Sequence, residues 1–106
     1  MWKIKFINQD VLDELRALPK DQQAKFTWIA DLIQEHGLEK VREPYVKHLE
    51  QGLWEIRIKG RDGISRALYV TAQERQIWIV RIFVKKTRKT PRKEIKRALE
   101  RAKEIR

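Results

Sequence analysis

Two arginines on neighbouring stretches of this chain are spaced as a phosphate-gripping pair would be. In LWEIRIK, residues 53–59, the apolar Trp54, Ile56 and Ile58 alternate with Glu55, Arg57 and Lys59, so a strand here puts three charges on one face. The following ISRALYV carries Arg66 in step with Ile64, Leu68 and Val70, and an arginine among apolar positions needs a partner or an anion. A hairpin closed by GRDG would set Arg57 and Arg66 close enough to grip one phosphate, since guanidinium groups offer fixed, fork-shaped donors to its oxygens. The competing structural reading pairs either arginine with Glu55 or Asp62. Downstream, FVKKTRKTP gathers Lys85, Lys86, Thr87, Arg88 and Lys89 just ahead of a helix start, where cations, hydroxyls and backbone donors can hold phosphate and offset charge developing in phosphoryl transfer. Lys59, Arg61, Thr87, Arg88, Lys89 and Arg92 form the candidate phosphate-contacting set around these residues.

The charge of the whole chain points the same way. The formal net charge is +10, and residues 85–106 hold eleven Lys/Arg against three Glu, so +8 of it lies in the last 22 residues. A concentrated positive field attracts polyanions through counterion release. Nucleic acid fits better than a membrane surface, because the terminal helix has no bulky aromatics on its apolar face. The plainer alternative is a solvated, charge-rich helix. With no Cys and two isolated His there is no disulfide, no thiolate zinc site and no metal cage, and no cofactor is expected. The start MWKIKF is no secretory signal and no stretch approaches the roughly 18 apolar residues of a membrane span, so a cytoplasmic protein is expected. No P-loop, dinucleotide fingerprint, HExxH or Cys nucleophile is present. His48 could serve as acid or base, yet an isolated His is more often structural, and His36 reads as a helix C-terminal residue. Trp2, Trp28, Trp54 and Trp78 are spread over every major element, which predicts core packing for all four.

The elements that must position these residues are legible from periodicity. Trp2, Ile4 and Phe6 alternate with Lys3 and Lys5 as a first strand. Asn8 or Asp10 can cap a short helix through Val11, Leu12, Leu15 and Leu18 that Pro19 closes. A second helix runs from Asp21 to the Gly37 stop, with an apolar stripe through Phe26, Ile29, Ala30 and Ile33. Residues 38–51 contain Pro44 and read as a connection with a short extended piece at Tyr45 to Leu49. Strands at Leu53 to Lys59, Ile64 to Thr71 and Gln76 to Val84 follow as a meander. Thr90 and Pro91 read as N-cap and first residue of a terminal helix, whose apolar face is Ile95, Ala98, Leu99, Ala102 and Ile105. The 106 residues are expected to form one α+β domain, β-α-α-β-β-β-α, with a largely antiparallel sheet and helices packed on one face.

LWEIRIKGRDGISRALYV followed by FVKKTRKTP resembles the RelE/ParE superfamily, nearest its HigB and phage-derived branch, and the order of elements matches along nearly the whole chain. The resemblance implies the toxin of a type II toxin–antitoxin system: a ribosome-dependent endoribonuclease, or mRNA interferase, that enters the 30S decoding site, cuts translated mRNA and inhibits translation. It implies a cognate antitoxin, commonly a helix-turn-helix protein, with operator DNA bound only through that complex. It also implies catalytic roles for Arg57, Arg66, Lys85 and Lys86, acting without metal on in-line attack by the ribose 2′-hydroxyl. Some relatives carry lysine where Glu55 stands, and many place Tyr or His near the C-terminus, where this chain has neither. Base stacking or acid catalysis would then fall to Arg88, Tyr69 or His48, and the general base to Glu55 or Lys85. Two other functions suit the same scaffold: a ParE-like DNA gyrase inhibitor, and a non-catalytic basic RNA-binding module.

Overall fold

The computed structural model describes residues 1–105. A strand β1 (Lys3–Phe6) leads into two helices, α1 (Gln9–Arg16) and α2 (Lys20–His36). After a single 3₁₀ turn at Leu38–Lys40, four strands follow, β2 (Val46–Glu50), β3 (Leu53–Gly60), β4 (Gly63–Ala72) and β5 (Gln76–Lys85), and helix α3 (Arg92–Ala102) ends the fold. The strands form one sheet in the order β1-β5-β4-β3-β2, antiparallel throughout except for the parallel β1–β5 pair. This is the expected α+β class, and the extended piece before Leu49 is a fifth, edge strand.

Asn8 starts α1, its side chain accepting a hydrogen bond from the Val11 amide at 3.1 Å. The buried Phe26, Ile29 and Ile33 of α2 then pack with Ile56, Ile58, Ala67, Tyr69, Ile77 and Ile79 on one face of the sheet. Helix α3 covers the opposite face, where Ile95 and Ala98 meet Leu53, Leu68, Val80 and Phe83. The expectation that all helices share one face is therefore corrected for α3. Alternate strand residues point to opposite sides, and Leu53 of β3, Leu68 of β4 and Phe83 of β5 lie on the side away from α2, so a single helical layer would have left them in water.

Strand β5 changes face partway along. The register slips between Leu68 and Tyr69, which pair with Arg81 and Ile79, leaving Val80 as the extra residue of a β-bulge. Ile77 and Ile79 lie with α2, whereas Phe83 beyond the bulge lies with α3, and Ile82 takes the α2 side. Lys85, two residues past Phe83, consequently shares the sheet face of Arg66 and Arg57.

Two further readings are corrected. Thr90 does not cap α3: Pro91 occupies the N-cap without a side-chain bond, and the Thr90 hydroxyl instead donates to the buried Glu55 carboxylate at 2.7 Å. A buried charge is the stronger claimant, because hydrogen bonds to ionised acceptors are about twice as strong as neutral ones. The four tryptophans are not all core. Trp2 and Trp54 are partly buried at the rim of the α2 core, Trp78 is partly buried with Lys5 Nζ 5.3 Å from its ring, and Trp28 is 45% exposed.

Candidate active site

Arg57 and Arg66 are direct cross-strand partners, and in the next rows of the same sheet face Lys59 pairs with Ile64 and Ile64 with Lys85. These residues line a cleft of about 470 Å³ at the end of the sheet, with Lys25, Pro44 and Tyr45 closing it from the side of α2 and the β2 edge. Beneath it lies Glu55, fully buried. Its Oε1 is ion-paired with Arg66 Nη1, and Arg57 Nε stands 3.7 Å from the same oxygen. Arg66 Nη1 also donates to the Thr90 hydroxyl at 3.3 Å, and its Nη2 to the Arg88 carbonyl at 3.4 Å. The chain between β5 and α3 is thus tied to the floor of the cleft.

Both expected readings of Arg66 meet here. It is 4% exposed and neutralised by Glu55, as the salt-bridge alternative required. Yet the Nε atoms of Arg57 and Arg66 are buried without a hydrogen-bond partner among the described residues. Buried donors are nearly always satisfied, so the two guanidinium groups beneath the cleft keep hydrogen-bonding capacity that Glu55, Thr90 and the Arg88 carbonyl do not exhaust. The Lys85 ammonium is held below the ordinary lysine pKa by desolvation and by the neighbouring charges of Arg66, Arg57 and Lys47, against the opposing pull of Glu55. A lysine in that state comes closer to acting as a base near neutral pH.

The structure separates the remaining expected site residues. Lys59 is exposed on the cleft wall, and Arg88 is exposed beside it on the segment that Arg66 grips. Lys86 and Thr87, just beyond the end of β5, line a different depression with Glu14, Arg81 and Glu94. The cleft therefore contains Lys85 without Lys86. Arg61 sits at the β3–β4 hairpin tip, where its amide donates to Asp21 at 2.7 Å, and Arg92 pairs with Glu50. Lys89 is exposed and its carbonyl accepts from the Thr87 hydroxyl at 2.6 Å. Glu55 is no longer a candidate base: both oxygens are engaged and the residue has no exposed surface. Nor do Tyr69 and His48 reach the cleft. Tyr69 is fully buried, with desolvation pushing its phenol well above the ordinary range, and His48 stands edge-on to Trp54 at 4.7 Å. Both border a larger cavity of about 580 Å³ near Trp2, where Glu39 and Glu43 balance Arg42 and Lys47. That balance makes it a poor phosphate site.

One charged cluster escaped the sequence reading. Arg81 lies 2.7 Å from both Glu14 of α1 and Glu94 of α3, and Arg101 lies 2.9 Å from Glu14 while donating to the Val80 carbonyl at 3.0 Å. The network clamps both helices to the bulged part of β5, and nothing local in the sequence links residues so far apart. Burial pushes Glu14 up, but the hydrogen bonds from Arg101 and the Ile82 amide, with the charges of Arg81 and Arg101, hold it below 4.5 overall. A carboxylate depressed by folding adds stability above its unfolded pKa and loses it as pH falls through the folded one. Urea denaturation should therefore show stability declining below about pH 4.5, with a shallower decline in Glu14→Gln.

The chain belongs to the family described as Phage derived protein Gp49-like (DUF891), which it matches over residues 13–103. In fold it is similar to a chain of the archaeal RelE–RelB complex from Pyrococcus horikoshii OT3, at 23% identity and a TM-score of 0.58, covering 78% of this chain and 93% of that one. It is likewise similar to a chain of the YoeB–YefM complex from Staphylococcus aureus, at 16% identity and a TM-score of 0.56, covering 77% and 94%. Among curated proteins no sequence matches. No helix among the described residues is long and apolar enough to cross a membrane.

Proposed function

We propose that this protein is the toxin of a type II toxin–antitoxin system and cuts translated mRNA, without metal, in the Arg57–Arg66–Lys85 cleft. The observation that carries the reading is the convergence of Arg57, Arg66 and Lys85 on one cleft, with the Lys85 pKa lowered by desolvation and by the neighbouring arginines. A scissile phosphate placed there has donors on its non-bridging oxygens and a base within the same cleft. Neutral Lys85 takes the proton of the ribose 2′-hydroxyl, whose oxygen attacks the adjacent phosphorus in line. The bond to the 5′-oxygen breaks, leaving a 2′,3′-cyclic phosphate; the departing 5′-oxygen takes a proton from water to become the 5′-hydroxyl, and the Lys85 ammonium returns its proton to solvent. Arg57 and Arg66 neutralise the pentacoordinate phosphate, a contribution on the order of 3 kcal/mol for each well-placed donor. Lys59 and Arg88 hold the flanking backbone. Primer extension on cellular mRNA after brief induction tests the reading: new 5′ ends within translated frames support it, whereas intact mRNA with damaged DNA topology would assign the fold to gyrase inhibition.

The proposed base makes a pH prediction. Single-turnover cleavage should rise with pH toward the lowered Lys85 pKa, because the neutral form is the active one. Lys85→Arg keeps the charge but cannot deprotonate, so it should flatten the profile and slow cleavage about a hundredfold or more. Cleavage should also persist in EDTA with ribosome integrity controlled, since no three His, Cys, Asp or Glu among the described residues cluster as ligands.

The two solved relatives are each recorded in complex with a second protein, which supports a cognate antitoxin here, acidic or amphipathic where it meets this surface. Lys96 and Arg97 are exposed on α3 and are the positions for charge reversal in testing that contact. Arg101 is unsuitable, because its guanidinium is committed to Glu14 and the Val80 carbonyl.

A further inference from the structure

Trp28 departs from what its residue type predicts. Indole is among the largest apolar groups, and here it stands 45% exposed on α2. Its ring meets Tyr45 edge-on, with centroids 5.5 Å apart, and the Lys25 ammonium lies 4.4 Å from the Trp28 centroid and 5.3 Å from that of Tyr45. The group is continuous with the cationic cleft, since Lys25 and Tyr45 line both, and the Arg57 amide donates to the Tyr45 carbonyl at 2.7 Å. The cluster therefore sets a half-exposed indole, covered on its ring by the flexible-stemmed Lys25 ammonium, beside the residues that would hold a phosphate.

We propose that Trp28, with Tyr45 and Lys25, is a nucleobase-stacking subsite for the nucleotide next to the phosphate held at Arg57. The inference rests on the nuclease reading for the strand's position, and it commits to a base of single-stranded RNA as the occupant. Aromatic faces stack bases of any identity, and an adjacent lysine supplies the phosphate charge contact that usually accompanies such platforms. Lys25 has two uses here. In the free protein its ammonium sits over the indole, and when a base takes that place its flexible stem carries the ammonium to the neighbouring phosphate.

The test uses fluorescence anisotropy of a short, labelled, non-cleavable single-stranded RNA, carrying a 2′-deoxy nucleotide at the scissile position, on the whole protein. Trp28→Ala should weaken binding roughly ten- to hundredfold, and Trp28→Phe should restore most of it. An abasic nucleotide at the flanking position should weaken the parent protein as much as Trp28→Ala does, and should add nothing to the variant. Equal affinity of parent and Trp28→Ala, with an unchanged thermal melt, overturns the inference, as does full loss of affinity in Trp28→Phe. So does Trp28→Ala weakening antitoxin binding alone. The nuclease reading fails separately: if a cleavable RNA and translated mRNA both stay intact while the anisotropy pattern holds, the base subsite stands on an RNA-binding protein.

Discussion

Arg57→Ala should abolish RNA cleavage and growth arrest while leaving the protein folded. The side chain is about one-third exposed and its only ionic contact among the described residues is the long one, 3.7 Å, to Glu55. Removing it costs little stability, because Glu55 keeps its ion pair with Arg66 and its hydrogen bond from Thr90. What is lost is a guanidinium that lines the cleft, and deleting one charge-stabilising donor group slows catalysis by about 10²–10³-fold. Arg57→Lys should recover only part, since a point charge does not reproduce the fork. The measurement is single-turnover cleavage of ribosome-bound mRNA alongside a thermal melt. Full activity in a folded Arg57→Ala protein would remove the cleft from the mechanism. If the variant instead melts far below the parent, the arginine is a structural strut and the phosphate assignment loses its second donor.

The largest effect on stability belongs to Glu55 and Arg66. Glu55→Ala leaves a guanidinium at 4% exposure facing Arg57 without its counter-ion, and Arg66→Ala leaves a fully buried carboxylate with one hydroxyl partner and a distant arginine. Breaking one side of a buried pair costs about 3–5 kcal/mol, a large share of the roughly 5–15 kcal/mol that holds a domain together. Either variant should therefore unfold at a markedly lower denaturant concentration and temperature than the parent. Replacing both, as Glu55→Leu with Arg66→Met, removes the unpaired charge and should recover much of the loss. Because the double variant also lacks the Arg66 Nε donor, it should be folded and inactive. Chemical denaturation of the four proteins forms a double-mutant cycle with a coupling of at least 2 kcal/mol in magnitude. A folded, stable Arg66→Ala would show the buried pair to be dispensable, and a folded double variant with wild-type cleavage would confine Arg66 to a structural role.

The sequence by itself determined the elements and much of the site. Strand alternation in LWEIRIK placed Glu55, Arg57 and Lys59 on one face, and the position of Arg66 among apolar residues showed that it needs a partner or an anion. Both are local consequences of a two-residue period. Tertiary structure decided the rest. The Val80 bulge turns Phe83 and Lys85 onto the face of Arg66, and nothing in QIWIVRIFVK marks Val80 as the extra residue, because the slip depends on how β4 pairs with it. The same turn leaves Lys86 outside the cleft, although it is adjacent in sequence to Lys85. Thr90 has the residue type of a helix cap, yet the buried Glu55, 35 positions away, takes its hydroxyl. Arg81 and Trp28 were the least legible. An arginine in an otherwise apolar strand tells nothing of the two glutamates, on helices before and after it, that neutralise it, and a tryptophan on an amphipathic helix reads as core until the fold sets it beside Tyr45 and Lys25 at the surface. Periodicity assigns a side chain to a face. Which charges and rings meet on that face is set by contacts between distant segments, and those form only when the whole chain packs.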